Sequence, residues 1–339
     1  MKKKALVVFI AFALLGGLVG ASCAKPAPAE VTEWKIQACA GPIDSAYLQG
    51  EIILDATNKA LAGKLHQTYY GIGDIVPYEE MAGALSEGVY EGTLSLSMMY
   101  SNAGSVVFGL PYGWETYDQV MEFFYDYGFL EFMREIYAEK NLFFVGPLPG
   151  PPCYLLTTSP VHKVEDMKGL KIWSEGPPAS LVSALGGKPI IFDVTEVYMG
   201  AKLGTIDGAY YGAIELESMK LKEVMGYVCL PPIVFPVNMD WVINLDAWNA
   251  LPPDVQETYE ATFRANQRKQ FDEVMVWLDE AIEASKAAGV QFITLEPSEL
   301  ERFQAAGRLV WGEIAAADAD SARAVQMLTD YLTAEGIIK

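Results

Sequence analysis

Side chains that commonly carry catalysis are sparse in this chain. It has two histidines, His66 and His162, which are too few for a histidine-rich metal centre. Its four cysteines are Cys23, Cys39, Cys153 and Cys229. They show neither a CxxC spacing nor a dense disulfide pattern. The last three fall on predicted strands, so we interpret them as small buried apolar residues rather than nucleophiles.

Two acidic pairs, Glu79–Glu80 and Glu215 with Glu217, are the other candidates for chemistry. Such pairs are typical of solvated helix faces, and no nucleophile and base accompany them. The chain also lacks a phosphate-binding GxxxxGK[ST] loop, a GxGxxG turn after a strand, a GxSxG elbow, an HExxH helix and an EF-hand loop. These absences give no support to catalysis or to nucleotide binding, so we predict neither an enzyme nor a cofactor.

The composition indicates a folded, acidic protein. The 339 residues are 51% apolar and include 24 Lys and Arg against 44 Asp and Glu, for a net charge of -20. This length suits two lobes or one large domain, and the apolar content supports a substantial core. An acidic surface repels phosphate backbones, so nucleic acid is not an expected partner.

The first 22 residues have the pattern of a secretory signal peptide. Three lysines follow Met1, an apolar run extends from Ala5 to Val19, and small residues precede Cys23. The apolar run is shorter than the about 20 residues that a membrane span needs. We predict secretion across the cytoplasmic membrane and a periplasmic body, with residues 23–32 as a tether.

The processing of this segment has two alternatives. Gly20-Ala-Ser-Cys23 resembles a bacterial lipobox, which would make Cys23 a lipidated first residue, although Gly20 stands where Leu is usual. Ordinary cleavage after Ala29 is the other alternative. The two differ in whether the protein is anchored or free.

Strand and helix patterns alternate along the rest of the chain. Residues 33–39 alternate polar and apolar side chains, residues 44–62 have helical spacing, and residues 65–70 again indicate a strand. This alternation predicts an α/β fold with a largely parallel sheet. An aromatic-rich stretch, residues 116–140, predicts one long helix whose aromatic stripe belongs to the core.

The second half repeats this alternation and then changes character. Strands are predicted near residues 171–173, 188–192 and 206–210. Residues 252–288 have no internal Pro or Gly and predict a helix about 54 Å long, which would extend along both halves of the protein. Two shorter helices close the chain.

Several ordered motifs resemble those of the substrate-binding proteins of tripartite ATP-independent periplasmic (TRAP) transporters, of the C4-dicarboxylate-binding-protein (DctP) type. These motifs are Glu165-Asp-Met-Lys-Gly-Leu-Lys-Ile-Trp173, Ala184-Leu-Gly-Gly-Lys-Pro189, Thr195-Glu-Val-Tyr198, Leu203-Gly-Thr-Ile-Asp-Gly-Ala209 and Trp248-Asn-Ala-Leu-Pro252. The resemblance covers about residues 33–290, in order and with compatible spacing.

The resemblance implies a periplasmic solute-binding protein fold with two lobes that close around a ligand. Each lobe would be a central sheet flanked by helices, with the long helix spanning both. The implied division is 33–152 for the first part of lobe one, 153–238 for the first part of lobe two, 239–290 for the return to lobe one with the spanning helix, and 291–339 for the closing helices. The implied partners are a small organic ligand and the membrane subunits of a TRAP transporter.

Trp173 stands where the family has its ligand-clamping arginine. A metal-using subgroup has further ligands at positions that match Pro152, Tyr211 and Val234 or Phe235, and these supply few side-chain oxygens. The resemblance therefore predicts neither the arginine clamp nor a metal for this chain. Trp173 could alternatively be ordinary core packing.

We predict a cleft with strong aromatic character. The candidate ligand-binding residues are Trp173, Glu175, Tyr210, Tyr211, Tyr100, Asn102 and Phe235. Such a cleft suits an organic acid, an aromatic or apolar molecule, or a cation held by ring faces. Two other functions stay open at this point: a binding protein of an ATP-driven importer, and a secreted enzyme on a similar fold.

Overall fold

The computed structural model describes residues 31–338. The predicted signal peptide, most of the predicted tether and Cys23 lie outside the described residues. Among residues 31–338, no helix is both long and apolar enough to cross a membrane.

The described chain alternates eleven strands with twelve α-helices and several short 3-10 turns. The strands are β1 Thr32–Ala38, β2 Leu65–Tyr70, β3 Gly92–Ser95, β4 Leu142–Pro149, β5 Cys153–Thr157, β6 Lys171–Trp173, β7 Lys188–Ile190, β8 Gly208–Gly212, β9 Tyr227–Val234, β10 Asn238–Asn244 and β11 Gln291–Thr294. The helices are α1 Ser45–Ala60, α2 Met81–Ser86, α3 Gly104–Phe108, α4 Tyr117–Tyr125, α5 Phe129–Ala138, α6 Gly176–Ala184, α7 Val197–Lys202, α8 Glu215–Ser218, α9 Leu245–Asn249, α10 Pro253–Ala287, α11 Pro297–Ala315 and α12 Ala319–Ala334.

The strands form two separate sheets. Sheet one has the order β2-β1-β3-β10-β4, and sheet two has the order β11-β9-β5-β8-β6-β7. We call each sheet with the helices packed on it a lobe, lobe one and lobe two. The predicted α/β fold with two lobes is confirmed.

Both sheets combine parallel and antiparallel strands. The prediction of a largely parallel sheet is therefore wrong. Strand β10 is antiparallel to β3 and β4, and β5 is antiparallel to β8 and β9, while the other pairs are parallel. The chain passes from β4 of sheet one to β5 of sheet two through residues 150–152. It returns from β9 of sheet two to β10 of sheet one through residues 235–237. The outgoing and returning strands lie side by side and necessarily run in opposite directions.

The predicted single helix over residues 116–140 is two helices, α4 and α5. The break lies at Gly128, whose φ of +82° is readily adopted only by glycine. Both helices still bury their aromatic side chains, including Phe123, Phe124 and Phe129, in the core of lobe one. The predicted core role is confirmed for the phenylalanines of the stripe, whereas Tyr125 is partly buried and Tyr127, in the turn before Gly128, is exposed.

The long helix α10 contacts both lobes, as predicted. Its 35 residues begin with Pro253 at the first turn, where the missing N–H costs no hydrogen bond. Its first half packs Val255, Tyr259 and Phe263 into the core of lobe one. Its second half packs Val274 and Leu278 into the core of lobe two.

A buried hydrogen-bonded chain fixes α10 to sheet one. The Trp241 indole N–H donates to the Tyr259 hydroxyl at 2.7 Å, and that hydroxyl donates to Oε1 of Gln67 at 2.8 Å. All three side chains are at most 1% exposed. The Tyr259 hydroxyl thus satisfies two buried polar groups at once.

We expect Tyr259→Phe to lower the free energy of unfolding by about 1–3 kcal/mol, because it leaves the Trp241 N–H and the Gln67 oxygen without a partner in the core. Urea unfolding followed by far-UV circular dichroism measures the loss. Tyr127→Phe is the matched control, since Tyr127 is 42% exposed. Equal stability of the two variants would contradict a structural role for the Tyr259 hydroxyl.

Candidate functional site

A cavity of ≈ 450 Å³ lies between the two lobes. Lobe one contributes the segment from Cys39 to Gln49 and the turn at Tyr78, and lobe two contributes the ends of β6 and β8. The volume is within the usual range for small-molecule sites. Four of the predicted site residues line it: Trp173, Glu175, Tyr210 and Tyr211.

Trp173 is both a core residue and a cavity residue. It ends β6, is 7% exposed, and packs with Leu156 and Ala209 in the core of lobe two. Its indole N–H donates to the Phe192 carbonyl at 2.9 Å, which fixes the ring. Its ring meets that of Tyr211 edge-on, with the centroids 5.4 Å apart. Trp173 was predicted either to line the cleft or to pack in the core. It does both, because one part of its ring lines the cavity and another part packs in the core of lobe two.

Glu175 lies two residues beyond Trp173, at the start of α6. It occupies the N-cap position, but its carboxylate accepts no hydrogen bond from the helix backbone. Within the described residues, the one hydrogen bond to this carboxylate comes from the Tyr78 hydroxyl of lobe one, at 3.4 Å. Burial raises the pKa of the Glu175 carboxyl, and the bond from Tyr78 opposes this shift. The carboxylate is thus held beside the cavity rather than used to cap its own helix.

Asp44 and Glu215 join the lobes at the base of the cavity. Asp44 caps α1 by accepting from the Ala46 N–H at 2.8 Å, and it also accepts a hydrogen bond from the Tyr211 hydroxyl of lobe two. Glu215 of lobe two accepts from the Ser45 N–H of lobe one at 3.2 Å. Burial raises the pKa of both carboxyls, and the neighbouring Asp44 charge raises that of Glu215 further.

Sequence reasoning missed Asp44 and Tyr78 and misplaced Glu215. The pair Glu215 and Glu217 was expected on a solvated helix face, yet Glu215 is 2% exposed. The short helix α8 faces lobe one, so this carboxyl is covered by a part of the chain far away in sequence. For Asp44, the one available signal was its position as the first residue of a predicted helix, which indicates a cap and not a cavity.

Tyr100, Asn102 and Phe235 do not line this cavity, contrary to expectation. Tyr100 is 7% exposed, and its hydroxyl is bonded to that of Ser95 at 2.8 Å within the core of lobe one. Asn102 is exposed and donates to a carboxylate oxygen of Asp318 at 2.9 Å. The Phe235 ring packs near that of Phe271 on α10. The locations of these three side chains depend on how the loops pack against the lobes. Local sequence patterns do not encode this packing.

Two cysteines, Cys39 and Cys153, also line the cavity. Burial raises the pKa of both thiols, so they stay protonated at neutral pH. A protonated thiol is a poor nucleophile and a small, nearly apolar wall. This agrees with the buried apolar role predicted for them.

The charge of the cavity is one-sided. Five lining residues carry carboxyl groups: Asp44, Glu79, Glu175, Asp193 and Glu215. None of the described lining residues is a lysine, an arginine or a histidine. An anionic group entering alone would therefore find no positively charged partner here.

A family model, described as bacterial extracellular solute-binding protein, family 7 (DctP), matches residues 40–318. The chain belongs to this family. It is a solute-binding protein of the TRAP type and not an enzyme, which excludes the other two functions considered above. Members are extracytoplasmic, so the predicted location outside the cytoplasm is confirmed.

Individual relatives agree with this membership. A monocarboxylate 2-oxoacid-binding periplasmic protein of Nostoc sp. is 26% identical over 272 residues, which are 78% of this chain and 73% of that protein. A TRAP solute-binding protein of Bordetella bronchiseptica, solved with calcium and picolinate, has a TM-score of 0.81 at 21% identity and covers 90% of this chain and 93% of its own. One of Chromohalobacter salexigens, solved with (S)-2-amino-1-propanol, has a TM-score of 0.80 at 20% identity and covers 90% of this chain and 96% of its own. These two structures show the shared fold.

Proposed function

We propose that this protein captures a small organic solute in the cavity between its lobes and delivers it to the membrane subunits of a TRAP transporter. The observation that carries the proposal is the cavity itself, which is built from both lobes and sits where hydrogen bonds cross between them. A ligand touching both lobes favours the closed arrangement over an open one. The proposed ligand-contacting residues are Trp173, Glu175, Tyr210 and Tyr211.

The relatives bind different ligands, with or without a metal ion. The side chains of the cavity indicate which of these ligand types suit this chain. The Nostoc protein is described as binding 2-oxo acids, and the Bordetella protein was solved with an aromatic carboxylate and calcium. Among residues 31–338 of this chain, no group of three or more His, Cys, Asp or Glu side chains could hold a metal ion. The cavity thus offers no cluster of carboxylates of the kind that commonly contributes to a calcium site, whose six to eight oxygen ligands also include carbonyls and waters.

The N-terminal region supplies the remaining part of the proposal. Secretion through the signal peptide of residues 1–22 places the binding body outside the cytoplasmic membrane. Lipidation of Cys23 would hold it there through the tether of residues 23–32. Mass spectrometry of the mature N-terminus distinguishes this from ordinary cleavage after Ala29.

We expect the protein to become more compact when it binds its solute. Native mass spectrometry of the purified protein, incubated with a library of small amines, sugars, amino acids and carboxylates, identifies a bound compound. Small-angle scattering with that compound should then give a smaller radius of gyration, because the lobes are held together. An unchanged radius at saturation would contradict lobe closure, and a library without any bound compound would contradict solute capture. Asn102→Ala serves as a control that leaves both results unchanged, since Asn102 lies outside the cavity.

A further inference from the structure

The cavity combines five carboxyl groups with no basic side chain, and this arrangement bears on the charge of its ligand. Ionised carboxylates taken out of water are unfavourable unless they are paired with a cation or well hydrogen-bonded. Asp44 meets this requirement through Ala46 and Tyr211, and Glu215 does so in part through the Ser45 N–H. One half-buried carboxylate beside the cavity has little hydrogen bonding and is left for a ligand.

Glu175 is that carboxylate. Its long bond from Tyr78 is its one hydrogen bond among the described residues, and it takes part in no ion pair there. It is half-buried beside the cavity and does not cap α6. A carboxylate in this position has unused acceptor capacity, which a ligand N–H or a ligand cation can fill.

The walls next to Glu175 are aromatic. Trp173, Tyr78 and Tyr211 all line the cavity, and ring faces attract cations through their negative quadrupoles. Tyr210 provides a separate observation: it lines the cavity, is 5% exposed, and its hydroxyl lies beside the Cys153 thiol, a weak hydrogen-bonding group, with no nitrogen or oxygen partner within residues 31–338. A carboxylate, several rings and a hydroxyl with spare hydrogen-bonding capacity make a set that suits a polar organic cation better than a bare metal ion.

We propose that the solute is a small organic ammonium compound whose positive group is bound by Glu175 and the rings of Trp173, Tyr78 and Tyr211. This rests on the function proposed above and deepens it by naming the ligand class. The remaining carboxyls, Asp193 and Glu79, are exposed and add negative potential that favours entry of cations.

Titration calorimetry with probes matched in shape tests the proposal on the unaltered protein. Choline carries a quaternary ammonium, and 3,3-dimethyl-1-butanol is its neutral isostere. Ethanolamine represents primary amines, and pyruvate, with calcium or with a chelator, represents organic acids. We expect at least one of the two ammonium probes to bind, the neutral isostere to bind more weakly than choline where choline binds, and pyruvate not to bind under either condition.

A charge-removing variant tests the assigned carboxylate. We expect Glu175→Gln to weaken binding of the ammonium probe about 10- to 100-fold, because a charge-assisted bond is lost while the shape is kept. Glu80→Gln is the matched control, since Glu80 is exposed and does not line the cavity. Melting temperatures of both variants show whether they are folded.

The outcomes separate this inference from the proposed function. Tighter binding of pyruvate than of the ammonium probes, equal binding of choline and its neutral isostere, or no binding of either ammonium probe would each overturn the organic-cation assignment. A folded Glu175→Gln protein with unchanged affinity would overturn the role of Glu175. In each case, a solute found bound in the library experiment would leave solute capture intact.

Discussion

The contribution of Asp240 to the free energy of unfolding is expected to decrease as the pH rises from about 4 to about 7. Asp240 lies on β10, is fully buried in lobe one, and accepts hydrogen bonds from Tyr137 at 2.6 Å and Ser95 at 3.0 Å. Burial raises the pKa of this carboxyl from its ordinary 3.8 to about 7, although both hydrogen bonds favour the ionised form. No cation pairs with it among the described residues.

The direction of this effect follows from proton binding. Between pH 4 and pH 7 the folded protein keeps the Asp240 proton, whereas the unfolded chain releases it, so the folded state binds more protons. The contribution is therefore fully present below about pH 4 and is lost as the pH rises through about 7. With the pKa raised from 3.8 to about 7, the loss is on the order of 4 kcal/mol.

The comparison of wild type with Asp240→Asn isolates this contribution. An amide does not titrate, so the stability of the variant relative to wild type should rise steadily between pH 4 and pH 7. Urea unfolding at a series of pH values measures the difference, and other titrating groups cancel in it. Asp279→Asn is the control, because Asp279 is exposed on α10. A difference that stays constant with pH would contradict the buried protonated state of Asp240.

The second large effect is expected at Trp173, in both stability and binding. Trp173→Ala removes a buried indole from the core of lobe two and should lower the free energy of unfolding by about 3–5 kcal/mol. The same change removes a cavity wall and should weaken binding of the captured solute by the equivalent of about 1–3 kcal/mol. The two losses occur together because one face of the ring lies in the core while another part lines the cavity.

Two further variants separate the losses. Trp248→Ala removes a tryptophan that is 5% exposed in lobe one and does not line the cavity, so it should lower stability without changing affinity. Trp173→Phe keeps a ring but loses the hydrogen bond to Phe192, and should lie between wild type and Trp173→Ala in both measurements. Melting temperature and calorimetric affinity on each variant provide the data. If Trp173→Ala reduces stability but leaves the affinity at its wild-type value, Trp173 does not contribute to solute binding.

Local sequence patterns determined most of the elements of this protein. The polar–apolar alternation before Cys39 and the uninterrupted helical spacing of residues 252–288 were sufficient to predict β1 and α10. These features depend on residues that are close in the chain, because strand and helix each have a fixed periodicity. The family membership also follows from motifs that keep their order along the chain, without any knowledge of contacts.

Tertiary structure decided the direction of the strands and the membership of the cavity. The antiparallel pairing of β4 with β10, and of β5 with β9, arises when the chain returns to lobe one, about 90 residues after leaving it. Asp44, Tyr78 and Glu215 become cavity residues because two lobes meet, and Tyr100 becomes a core residue because Ser95 and Tyr137 surround it. The burial and the charge environment of these side chains depend on contacts between segments that are distant in sequence. The periodicity of a single segment reports which of its faces is apolar, but not which part of the chain will cover that face.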